Sequence, residues 1–150
     1  MICRTLGELQ QRLRDEGVEI RRGLAPEKQI VASWVRLHFS ERWANECEVA
    51  FSREPVACFL AVRKQELLRF ACHDVTCRNF FGPLGVAPQS RGRGIGAALS
   101  LTCLSAMAHV GYAYAIVGSA GPIDFFTKLV AASVIENSKP GIYAGLLQSG

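Results

Sequence analysis

Leu84-Gly85-Val86-Ala87-Pro88-Gln89-Ser90-Arg91-Gly92-Arg93-Gly94-Ile95-Gly96-Ala97-Ala98-Leu99 is the stretch on which the fold turns. An apolar run ends at Val86, a proline and a polar turn follow, and a glycine-spaced segment opens a long helical pattern. That order predicts a strand, a loop and a helix N-terminus. At such a terminus the first N–H groups have no partner within the helix and the aligned peptide dipoles place partial positive charge, so an anion is favoured there. Gly92, Gly94 and Gly96 carry no Cβ, which lets a bulky phosphate approach the main chain, and Arg91 and Arg93 add full charges. The segment from Arg91 to Ala97 therefore reads as a pyrophosphate cradle.

Spacing separates the known cradles. A P-loop needs Lys-Ser or Lys-Thr directly after its last glycine, where this chain has Ala97-Ala98. A dinucleotide fingerprint spaces its glycines as Gly-x-Gly-x-x-Gly and places an acidic residue about twenty positions later. Here the glycines alternate, and Tyr112 to Gly118 holds no Asp or Glu. In its setting of strand, turn and helix, the stretch instead resembles the acetyl-CoA signature of the GNAT superfamily of N-acetyltransferases, Arg/Gln-x-x-Gly-x-Gly/Ala. Arg91-Gly92-Arg93-Gly94-Ile95-Gly96 matches it, and Val86-Ala87-Pro88 matches the Val-x-Pro that usually precedes it.

Outside this stretch, composition narrows the class. The 150 residues suit one ordinary domain, and 49% hydrophobic against 20% charged residues excludes disorder. Met1 to Gln10 has no basic segment followed by an apolar core, and no charge-free run reaches membrane-spanning length, so a cytoplasmic protein without a membrane partner is expected. The six cysteines are expected to be buried thiols rather than disulfides. Cys72-His73-Asp74 with Cys77 lacks a second pair at zinc-site spacing, so no metal is expected. The net charge of +4 is spread along the chain apart from Arg12, Arg14, Arg21 and Arg22, without the interleaved aromatics that stack bases, so nucleic acid is not an expected partner.

In chain order, Thr5-Leu6-Gly7-Glu8 has the form of a capping box, and Leu6, Leu9 and Leu13 share one face of a first helix over roughly 6–16. Val18 to Arg21 alternates like a strand. Pro26 opens a segment with Ile30, Val31, Trp34 and Val35 inward, and Ser40 caps a helix whose face is Trp43, Cys47, Ala50 and Phe51. Val56 to Val62 and Leu67 to Cys72, joined by Arg63-Lys64-Gln65-Glu66, form a hairpin; the loop His73 to Asn79 leads into Phe80 to Val86, where Gly82-Pro83 predicts a bulge. The helix after the cradle buries Ile95, Ala98, Leu99, Thr102, Cys103 and Ala106. A second apolar stripe of Ala97, Leu101, Leu104 and Ala108 must also be covered, by the first helix or by a homodimer contact. Tyr112 to Gly118 reads as a strand, Ile123 to Ala131 as a helix, and Val134 and Tyr143 to Leu147 as short closing strands.

This element order is also that of GNAT domains from residue 18 to 147, with the first helix as an addition. The resemblance implies an α/β (α+β) fold with a mixed, mostly antiparallel sheet, a splayed strand pair and helices on both faces. It further implies acetyl-CoA as co-substrate, with Leu84, Gly85 and Val86 pairing with the pantetheine arm and Arg91, Gly92, Arg93, Gly94, Ile95, Gly96 and Ala97 holding the pyrophosphate. A backbone N–H of Leu84 or Gly85 would face the thioester oxygen, where a fixed donor stabilises the developing oxyanion. The acceptor, a small-molecule or peptide amine, needs a base to take its proton; Glu46 and His73 are the candidates.

The family often protonates the leaving thiolate from a tyrosine in Phe-Tyr-x-Lys. The matching segment here, Asp124-Phe125-Phe126-Thr127-Lys128, places Phe126 at that position. Water can protonate a thiolate whose conjugate acid has a pKa around 8.5, and Ser119, Thr127, Tyr114 and Tyr143 are alternative donors. Two further readings stand beside the transferase: a non-catalytic CoA-binding module, and a nucleotide-binding regulatory protein.

Overall fold

The central hairpin sets the frame. Cys58–Arg63 (β2) and Glu66–His73 (β3) pair antiparallel through a two-residue turn in which Lys64 and Gln65 both take positive φ, 48° and 67°. Two successive left-handed residues match the right-handed twist of the flanking strands. Glu19–Arg22 (β1) adds to β2, and Phe80–Val86 (β4) adds to β3, each antiparallel. Ile116–Val117 (β5) completes a five-stranded sheet in the order β1-β2-β3-β4-β5. The computed structural model describes residues 2–86 and 93–149.

Helices cover both faces. On one side lie Lys28–His38 (α2), entered through a 3-10 turn at Ala25–Glu27, and Glu41–Phe51 (α3). Their inner residues Val31, Val35, Ala44, Cys47 and Ala50 pack on Cys58, Leu60, Phe70 and Cys72. These strand residues share a face because Leu60 lies opposite Phe70 and Cys58 opposite Cys72. The alternate residues, among them Phe59, Ala71 and His73, face the other side. There Ile95–His109 (α4) lies across β2, β3 and β4, and Ile2–Asp15 (α1) packs along α4 and against β1.

Several expectations hold and several change. Ser40 caps α3, its hydroxyl accepting from Trp43 N–H at 3.1 Å. Thr5 is not a cap, because α1 already runs from Ile2. Ile30 points to solvent at 69% exposure, and the stripe that packs inward is Val31, Ala32 and Val35, on the face a helix of period 3.6 shares among them. Leu101 is 3% exposed within the single chain. Helix α1 is bound to α4 by Gln10 Nε2, which donates to Thr102 Oγ1 at 3.2 Å.

The chain divides into two compact units, Met1–Ile116 and Val117–Gly150. In the second, Ile123–Val130 forms α5 and Gly141–Tyr143 a 3-10 turn. The strand expected over 112–118 shrinks to Ile116–Val117, with Tyr114 69% exposed. No strand forms at Val134 or over 143–147 among the described residues. Val134 and Leu147 are 63% and 93% exposed and Tyr143 lies in a 3-10 turn, so the apolar residues there do not form one buried strand face.

Candidate active site

The predicted bulge is present. Ala71 pairs with Leu84 and His73 with Phe81, so β4 carries one residue more than β3 between these pairs, at Gly82-Pro83. A bulge takes backbone out of the ladder, and Pro83 has no N–H to offer it. Past the bulge, Gly85 lies opposite Phe70 on the α2–α3 face. A Cβ there would stand 2.1 Å from Phe70 Cε1 and 2.9 Å from Phe39 Cε2. Gly85 is thus a strand residue packed under an aromatic cluster, not punctuation in a loop. In that cluster Phe39, Trp34 and Trp43 surround Phe70, with ring centroids 5.9, 6.3 and 6.2 Å from it.

Beyond Val86, the cradle residues Arg91 and Gly92 lie outside the described residues. Arg93 is exposed, and Gly94 is the N-cap of α4 at φ 77°. Such a φ is strained for any residue with a Cβ. The first N–H bonded within α4 is that of Ala98, which donates to Gly94 C=O at 3.0 Å. By helix geometry the N–H groups of Ile95, Gly96 and Ala97 therefore have no helical acceptor. No acidic side chain stands in this first turn to compete for the positive end of the dipole.

A cation that the sequence did not assign to this end is there. Arg12, on α1, donates through Nη2 to Arg93 C=O at 3.2 Å, and the same nitrogen lies 2.5 Å from where a Cβ of Gly94 would stand. The sequence groups Arg12 with Arg14, Arg21 and Arg22, but nothing local in it links residue 12 to residue 93.

Of the two candidate bases, Glu46 is half-buried on α3 and accepts a hydrogen bond from the Thr76 hydroxyl. Burial raises its pKa above the usual carboxylate value, against the lowering effect of that bond. His73 is the last residue of β3 rather than a loop residue, 6% exposed and stacked on Phe59 with centroids 6.2 Å apart. Its Nδ1 is 2.7 Å from Asp74 Oδ2, and its Nε2 is buried without a hydrogen-bond partner. Asp74 Oδ1 accepts from Asn79 N–H at 2.8 Å and from the Tyr112 hydroxyl at 2.9 Å. Burial pushes Asp74 upward, but these donors outweigh it and hold its pKa below the ordinary value; the same contact raises that of Tyr112.

The loop from Asp74 to Asn79 therefore receives Glu46 through Thr76 and ties His73, Asp74 and Tyr112 together. Glu46 lies on α3 and His73 on the opposite, α4 face of the sheet. In the second unit, Phe126 is 5% exposed and meets Phe125 edge-to-face at 5.1 Å; Tyr143 is half-buried in its 3-10 turn.

Three buried thiols converge on the α2–α3 face. Cys47 Sγ lies 3.7 Å from Cys72 Sγ, and Cys58 stands opposite Cys72. Hydrogen bonds from Cys58 and Cys72 favour the Cys47 thiolate and lower its pKa, while Cys58, through its bond to Cys47, and Cys72, through burial, are pushed up. Among the described residues no group of three or more His, Cys, Asp or Glu could hold a metal ion. No described helix is long and apolar enough to cross a membrane.

Compared by sequence, the chain matches no protein-family model and no curated protein. Compared by structure, it has the fold of the GCN5-related N-acetyltransferases. A GCN5-related N-acetyltransferase from Ralstonia eutropha JMP134 superposes with a TM-score of 0.57 at 16% identity, over 83% of this chain and 98% of that one. The glucosamine N-acetyltransferase region of a fungal multi-domain GH3 β-N-acetylglucosaminidase gives 0.58 at 13% identity, over 81% of this chain and 17% of that one. A GCN5-related N-acetyltransferase from Sphaerobacter thermophilus gives 0.52 at 21% identity, over 64% and 33%. The chain thus spans a third or less of the length of the last two.

Proposed function

We propose that the protein transfers the acetyl group of acetyl-CoA to the amine of a small molecule or peptide by direct attack on the thioester. The observation that carries this reading is the bulged β4 leading to a helix whose N-terminus offers three N–H groups without helical acceptors, beside Arg12 and Arg93. In this reading the main chain of Leu84, Gly85 and Val86 pairs with the pantetheine arm. The segment from Arg91 to Ala97, with Arg12, neutralises the pyrophosphate. Residues 1–150 act as one catalytic domain, in the cytoplasm.

Glu46 is the base of choice. Desolvation makes its carboxylate a stronger base, whereas the Nδ1 of His73 is engaged by Asp74 and its Nε2 is sealed in the core. The amine nitrogen forms a bond to the thioester carbon as Glu46 takes its proton, directly or through one water. The carbon–sulfur bond then breaks, and CoA leaves as a thiolate. Water supplies its proton, since Phe126 stands in the sequence where the family's usual tyrosine would.

Titration calorimetry with acetyl-CoA and thiol release against a panel of amines test this directly. Saturable binding with thiol release is expected, falling about 10²-fold in kcat in Glu46→Gln. The acidic limb of the wild-type rate profile should lie above the ordinary glutamate value of about 4.3 and vanish in that variant. Absence of acetyl-CoA binding overturns the proposal. Binding without thiol release from any amine establishes the second reading, a CoA-binding module, which the apolar Phe126 favours.

A further inference from the structure

An open groove of about 460 Å³, hereafter the cavity, lies on the α4 face of the sheet, between α1, α4, β1 and β2, with exposed Pro55, His109 and Val110 at its rim. None of the residues given roles in acetyl transfer lines it. One wall is apolar, built from Leu6, Pro55, Phe59 and Val110. The N-terminal helix, which the expected domain pattern lacks, supplies Leu6 and Gln10 and so creates the site.

Arg22 gives the cavity its chemistry. Its guanidinium carbon lies 4.6 Å from the centroid of the Phe59 ring, and Nη1 donates to Val56 C=O at 2.5 Å. The ring and the carbonyl fix the plane of the group and use one of its five N–H donors. Among the described residues Arg22 has no carboxylate partner, and no acidic residue lines the cavity. Across from it on α4, His109 Nδ1 is bonded to Ser105 C=O at 2.7 Å, leaving Nε2 for a ligand. A held guanidinium with spare donors, facing an apolar wall and no counter-charge, selects an anion that brings its own apolar body.

We propose that this cavity binds a small monocarboxylate carrying an aromatic-sized apolar body, at a site separate from that of acetyl-CoA. The carboxylate takes two N–H groups of Arg22 side by side, and the body lies against Phe59, Leu6 and Val110. A free phosphate is a poorer fit, because its second charge and larger hydration shell need more donors than one guanidinium supplies. The proposal stands independently of the acetyl-transfer reading.

The test is titration calorimetry on the full chain with 3-phenylpropionate, with 3-phenylpropanamide, its neutral analogue, and with inorganic phosphate. One-to-one, saturable binding of 3-phenylpropionate is expected, with the amide at least about tenfold weaker and phosphate silent. Arg22→Gln should weaken 3-phenylpropionate by at least about tenfold, and Arg22→Lys, which keeps the charge and a donor for Val56, by less. Ala106→Phe should abolish binding by filling the cavity, with an unchanged circular-dichroism spectrum and urea midpoint as the check that the variant is folded. Saturating acetyl-CoA should leave the affinity for 3-phenylpropionate unchanged. Equal affinity of acid and amide, undiminished binding to Arg22→Gln, displacement by acetyl-CoA, tighter binding of phosphate, or no saturable binding would each overturn the proposal.

Discussion

Gly85→Ala is a one-carbon change at a strand position, where alanine is ordinarily no worse than glycine, yet here it should cost about 2–3 kcal/mol. The new Cβ would arrive 2.1 Å from Phe70 Cε1 and 2.7 Å from Cδ1, whereas ordinary contact begins near 3.4 Å. Phe70 cannot simply step aside by about 1.3 Å. It is fully buried, with Phe39, Trp34 and Trp43 ringed around it. Either that cluster repacks or β4 moves off β3 at the Phe70–Gly85 pair. Phe70→Leu alone should cost about 1–2 kcal/mol in lost area and ring contacts, but it frees the space the methyl needs. In the double variant the penalties should fall short of their sum by about 1–2 kcal/mol. Urea unfolding followed by tryptophan fluorescence measures all three, since both tryptophans lie in the cluster. A Gly85→Ala protein within about 0.5 kcal/mol of wild type, or strictly additive penalties, would refute the packing argument.

Two further perturbations are open to the same measurement. Ser40→Ala removes the acceptor for Trp43 N–H at the start of α3 and should destabilise by about 1 kcal/mol, with Ser40→Asp restoring most of it; equal stability of Ser40→Ala and wild type would discount the cap. Asp74 has a folded pKa below its unfolded value of about 3.9, so its contribution is full above that value and fades as pH falls through the folded pKa. Asp74→Asn should therefore be destabilised by about 1 kcal/mol at pH 7, the gap closing towards pH 3; a gap independent of pH would remove the carboxylate from the account.

Local rules made much of the fold legible. The hairpin, the Ser40 cap and the bulge at Gly82-Pro83 each follow from a few adjacent residues, and each is present. The elements that failed depend on what lies across from them. Tyr112 to Gly118 and the stretch after Val134 alternate well enough for strands, but alternation cannot say whether a sheet edge will be there to receive them. In the candidate site, the helix N-terminus was readable from its glycines, while Arg12 was not, since its place depends on how α1 docks. Gly85 shows the same limit in reverse: the glycine is obvious in the sequence, but its reason, the ring of Phe70, lies on another strand. The aspartate behind His73 was adjacent in sequence; Tyr112, which completes that network, was separated from it by 38 positions.

The docking of α1 on α4 also has a consequence for the order in which the molecule can be made. Gln10 finds Thr102 across 92 positions and Arg12 finds Arg93 across 81. A ribosome therefore releases the 14 residues of α1 well before their partner helix. A helix of that length is marginal alone in water. Until α4 exists, the side of α1 that packs on it stays uncovered in the nascent chain, open to any chaperone that binds amphipathic stretches.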